Sequence, residues 1–146
     1  MKAWSTLLVF AMLFGCATIN DEEQIRDIKG FNEPNGIILR IHVIDVQPTN
    51  YYPKSFCEEN EICLPSYFWF KYKAKVRKVL RGKWQDTYIE FARLQHSQLV
   101  PAVTDDCYIS LRKIDTPLSD QLNVQYVAED FLSPFFANKR RPENSI

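Results

Sequence analysis

Residues 66–82, SYFWFKYKAKVRKVLRG, leave this chain few ways to fold. Phe68, Phe70, Tyr72, Ala74 and Val76 occupy alternate positions, and Lys71, Lys73, Lys75 and Arg77 fall between them. Successive side chains of a strand point to opposite faces, whereas a helix would mix these two sets around its surface. The segment therefore predicts a long strand with one apolar and one cationic face, which needs a core on one side and water on the other. The alternation breaks at Val79-Leu80 before Arg81-Gly82-Lys83, which predicts a bulge followed by a turn.

The same period recurs along the chain. Ile37, Leu39, Ile41 and Val43 alternate with Arg40 and His42, and the phase slips near Asp45-Val46. Thr87, Ile89 and Phe91 alternate against Tyr88 and Glu90; Cys107, Ile109 and Leu111 alternate against Tyr108, Ser110 and Arg112. Leu122, Val124 and Tyr126 predict a weaker fifth strand after a break at Thr116-Pro117. Five strands, the second long and bent, with a wider gap between the third and fourth, predict an all-β domain over residues 36–135. The expected form is a small five-stranded OB-like barrel with short flanking helical or irregular segments, and a β-sandwich is the alternative. The aromatic residues that follow Ala128 are expected to pack over a barrel end, and residues 136–146 to fray.

The leader sets the expected address. Lys2, the apolar run from Leu7 to Phe14 and the small residues Gly15-Cys16-Ala17 have the layout of a signal peptide over residues 1–15. The run is far shorter than the roughly 20 residues of a membrane-spanning helix. Leu13-Phe14-Gly15-Cys16 resembles the lipobox of bacterial lipoproteins. That resemblance implies lipidation of the Cys16 thiol, cleavage just before it, and acylation of the new amino terminus by a palmitate-type chain. It places the protein in the bacterial cell envelope, with the membrane as its first partner. Ala17, in place of Asp, implies the outer membrane with the domain facing the periplasm. Ordinary cleavage after Ala17 is the alternative; it would discard Cys16 and release the protein. Residues 16–35, acidic and broken by Gly30, Pro34 and Asn35, are expected to form a lipidated tether.

A second resemblance concerns the domain. YKAKVRKVLRGKWQDTYIEFA, followed by CYISL, is similar to the strand-turn-strand core of netrin-like and metalloproteinase-inhibitor-like domains. It implies an OB-type fold. It implies no inhibitory chemistry, because the amino-terminal cysteine with which such inhibitors grip a metal would here carry lipid.

Of 18 basic residues Lys2 lies in the leader, so 17 oppose 18 acidic ones in the mature chain. No global field steers it towards nucleic acid. Residues 71–83 nevertheless hold seven basic residues and no acid. Lys71, Lys73, Lys75 and Arg77 are thus the candidate ligand-binding residues, suited to an anionic glycan or an acidic envelope protein. The plainer reading is that these charges keep the strand soluble and guard it against edge pairing.

Cys57 and Cys63 flank EENEI and are the candidate local disulfide, worth roughly 2–3 kcal/mol. Cys107 is expected either as a buried thiol or as the partner of one of them. No cysteine or histidine spacing suits zinc, so neither a metal nor another cofactor is expected. No glycine-rich loop or nucleophile elbow occurs, and His42 and His96 would each need a carboxylate such as Asp45 or Asp105 to act in a catalytic pair. The expected function is a non-enzymatic envelope lipoprotein that acts as a binding, scaffold or inhibitor module. An anion- or glycan-binding barrel using residues 71–77 is the alternative, and a toxin-neutralising immunity-type lipoprotein a further one.

Overall fold

β1 (Ile37–Pro48) and β2 (Phe68–Arg81) are the two long strands, and each has a neighbour on both sides. The computed structural model describes residues 20–51, 66–96 and 106–133. With β3 (Tyr88–Gln95), β4 (Asp106–Lys113) and β5 (Tyr126–Leu132) the strands form a closed barrel in the order β1-β2-β3-β5-β4, which β1 and β4 close. Neighbours are antiparallel except β3 and β5, which run parallel. This is the OB-like barrel, and its closure excludes the sandwich. Two short helices complete the described structure: α1 (Asp21–Ile25) before β1, and α2 (Thr116–Leu122) between β4 and β5. No described helix is long and apolar enough to cross a membrane.

The alternating residues fill the barrel. Leu39, Ile41, Val43, Phe70, Tyr72, Ala74, Ile89, Phe91, Cys107, Ile109 and Leu111 form one buried cluster. Tyr72 and Phe91 stack at its centre, ring centroids 5.1 Å apart and planes within 11°. The expected phase slips are real: the β1–β2 register shifts between Val43 and Asp45 and again opposite Leu80, and a further shift opposite Arg77 interrupts what the sequence shows as regular alternation. Gly82 makes the turn at φ +78°, where a Cβ would lie 2.8 Å from the Gly36 carbonyl oxygen. Only glycine meets both demands.

Two expectations need correction. Thr116-Pro117 opens α2 rather than breaking the chain before a strand, and the helix ends at Asn123 in the left-handed conformation. Proline suits the first helical turn, where its missing N–H costs nothing, and asparagine tolerates the left-handed cap. Leu122 and Val124 accordingly pack with Ala92, Ile114 and Val127 in a cluster beside α2. β5 begins only at Tyr126, and the stretch expected to cover a barrel end supplies its strand.

The second correction concerns residues 16–35. Where described, this stretch does not hang free. Ile25 and Ile28 are buried against Ile38, Tyr108 and Leu132, with Phe31 and Leu80 packed beside them. The Arg81 guanidinium lies 4.5 Å from the Phe31 ring centroid. The apolar residues scattered through an acidic segment converge on the outer surface of β1 and β4. Hence Cys107 to Leu111 are all buried, and the period of two disappears from the burial of β4. Cys16, Cys57, Cys63 and residues 136–146 lie outside the described residues.

Candidate functional site

Lys71, Lys73 and Lys75 share the outward face of β2, as alternation requires. Lys73 is in register with Asp45 of β1 and Glu90 of β3; Lys75 is in register with His42 and Tyr88. Lys71 Nζ lies 2.8 Å from Glu90 Oε2 and donates to the Asn123 carbonyl oxygen at 3.3 Å. Arg77 turns away at the register shift and places Nε 3.6 Å from Asp106 Oδ1. Among the described residues Lys73 and Lys75 have no carboxylate within 4.0 Å. The ladder is therefore a mixed-charge surface rather than a bare cationic stripe. The edge-guarding role falls away, because a strand paired on both sides has no edge to guard. Ile44, 53% exposed, and Tyr88, 51% exposed, flank Lys73 in a shallow depression of this face.

A polar network lies on the neighbouring side. Asp21 is buried and accepts from the Tyr108 hydroxyl at 2.9 Å and from Lys78 Nζ at 2.8 Å, with Arg40 Nη1 3.5 Å away. Burial opposes its ionisation, yet the hydrogen bonds from Lys78 and Tyr108 and the charges of Lys78 and Arg40 hold its carboxyl below the ordinary value. Asp106 meets Arg40 Nη2 at 3.1 Å and His42 Nδ1 at 3.1 Å. His42 thus pairs with Asp106, whereas Asp45 accepts from Gln47. Cys107 is buried inside the barrel, on the other face of β4 from Asp106, the residue that stands in register with His42. Among the described residues no group of three or more metal-ligating side chains comes together.

Burial and the hydrogen bond to the charged Asp21 push the Tyr108 phenol up to about 12. A phenol raised above its unfolded value of 10.0 stabilises the fold below that pH, and the contribution disappears as pH rises through about 12. Phenolate absorbance followed against pH should show Tyr108 ionising late, together with Tyr72, which burial also raises. Tyr108→Phe should remove one late-ionising group. Ordinary titration of every tyrosine in the native protein would contradict the assignment.

Beside the β2–β3 face, on its β3 side, runs a groove of about 530 Å³, bounded across from β3 by α2 and the turn into β5. Trp84 and Tyr126 meet edge to face in its wall, 5.3 Å between centroids and 73° between planes, and both pack against the barrel core. Asp86, Asp120, Asn123 and Gln125 supply polar groups around them. The turn is held firmly: Ser119 Oγ donates to the Val124 carbonyl at 2.7 Å, and the Val124 N–H to the Ser119 carbonyl at 3.3 Å.

Sequence reasoning missed both the Asp21 network and the groove. Asp21 carries no local signal, since its partners stand 19 to 87 positions away. The groove had one: Tyr88 is an aromatic residue at a solvent-facing strand position, four residues after a tryptophan in the turn. No family model matches the chain, and no curated protein or solved structure was found similar to it.

Proposed function

We propose that this chain is a non-enzymatic, lipid-anchored binding module of the bacterial cell envelope. Its ligand is taken on the β2–β3 face and the groove beside it. One observation carries the binding role: the barrel interior is filled by packed side chains, while exposed Ile44, Lys73 and Tyr88 line one depression of the outer surface and a groove opens beside it. This is the region with which OB barrels meet extended ligands.

The anchor follows from the leader. Five Cα steps separate Cys16 from Asp21, which α1 holds on the barrel, so the reach is at most about 18 Å. The barrel is then carried close against the bilayer rather than on a long stalk. Cys16→Ser should move the protein from the membrane to the soluble fraction, since a single residue supplies all the acyl chains. A mature wild-type chain that begins at Thr18 with a free amine would overturn the anchor.

The basic strand supports a second reading, anion binding through Lys73 and Lys75, because neither has a carboxylate within 4.0 Å among the described residues. Affinity capture from solubilised envelopes separates the two. Ile44→Asp should abolish capture on the first reading, and capture of the wild-type protein should then change by less than about twofold between low and high salt. Capture that survives Ile44→Asp, falls steeply at high salt and is lost in Lys73→Glu with Lys75→Glu would assign binding to the basic strand.

A further inference from the structure

We infer that the groove between β3 and the α2–β5 turn binds an uncharged segment of an envelope glycan; this rests on the proposed binding role of the β2–β3 region. Its volume of about 530 Å³ falls within the ~300–1,000 Å³ of small-molecule sites. Trp84 and Tyr126, wedged against each other and the core, form a stiff aromatic corner that loses little freedom when covered. A pyranose ring carries an apolar face of C–H groups suited to such a corner, with hydroxyl groups around its rim.

The polar groups match that rim. Asp86 and Asp120 have no cation within 4.0 Å among the described residues, so their carboxylates are acceptors for hydroxyl donors. Asn123 and Gln125 both donate and accept, as a hydroxyl does. Asp86 and Asp120 repel phosphate and uronate groups, which disfavours an anionic glycan in this groove even with Lys71 at its edge on Glu90 and the Asn123 carbonyl. A bare ammonium or guanidinium group would satisfy the carboxylates but leave the amide N–H groups unused, since it accepts no hydrogen bond. The aromatic rings also meet in one corner and do not surround a point, as a cage for a quaternary ammonium requires.

The test titrates the full-length lipidated protein in detergent with neutral tetrasaccharides built on N-acetylglucosamine or on glucose. Tryptophan fluorescence is the readout. At least one of these should shift the emission saturably, and the shift should vanish in Trp84→Phe. Asp120→Ala and Asp86→Ala, both at exposed positions, should each weaken binding about tenfold while leaving the melting temperature unchanged. The affinity should change less than about twofold between low and high salt. No saturable shift up to about 10 mM saccharide, or saturation by tetramethylammonium instead, overturns the inference. If saccharide binding fails while Ile44-dependent capture persists, the glycan assignment alone is lost; if both fail, the binding role of the region is lost with it.

Discussion

Asp21→Ala should lower the unfolding free energy by about 3 kcal/mol in urea denaturation, a large effect for an aspartate in an acidic stretch. The substitution leaves the Tyr108 hydroxyl without its acceptor in a fully buried position. It also strips Lys78 and Arg40 of a carboxylate, at smaller cost because Lys78 is 59% exposed and water takes over. Asp21→Asn, which keeps an acceptor for Tyr108 but loses the charge, should cost about half as much. The pH dependence has a definite sign. A carboxyl depressed below its ordinary 3.8 stabilises the fold above that value, and the contribution disappears as pH falls through the lower folded value. Wild type and Asp21→Asn should therefore converge in stability on acidification below 3.8. Equal stability of the two at neutral pH would show that the network does not hold α1.

The consequence for the proposed anchoring is mechanical. With α1 released, 21 Cα steps would separate Cys16 from Ile37, a reach of up to about 75 Å. Asp21 would then act as the clasp that decides whether the barrel sits on the membrane or swings above it.

Phe91→Ala should remove about 4 kcal/mol of stability, enough to leave a domain of this size largely unfolded at moderate temperature. Phe91 is completely buried and stacks on Tyr72, whose other contacts include the Phe131 ring at 5.7 Å. Truncation opens a cavity where five strands converge, and a closed ring of hydrogen-bonded strands cannot collapse into it without breaking pairing. Phe91→Leu should cost less than half as much. Thermal melts of the two variants give the comparison, and a Phe91→Ala protein that melts with wild type would refute the central stack.

The barrel was legible in the chain because a strand half-buried in a small domain must alternate. Phe70, Tyr72 and Ala74 announce β2, and Ile89 and Phe91 announce β3, from a local pattern with no need of the partner strand. Even the bulge opposite Leu80 and the turn at Gly82 follow from the broken phase and the glycine. The rule misled where a second layer covered the sheet. Tyr108 and Ser110 alternate as outward residues but are buried, because α1 and the loop after it lie over them. The ladder misled for a related reason: four cations along one strand look unopposed until Glu90 and Asp106 arrive from other strands.

Sequence periodicity by itself determined the class of fold, the faces of β1 to β4, the turn at Gly82 and the candidate cations, since each depends on contacts within a few residues along the chain. Tertiary structure alone decided that the acidic segment clasps the barrel, that Lys71 and Arg77 of the cationic strand meet carboxylates while Lys73 and Lys75 do not among the described residues, and that Trp84 and Tyr126 meet in one groove. Those outcomes depend on groups tens of residues apart, and a one-dimensional pattern records which side a residue faces but not which residue waits there.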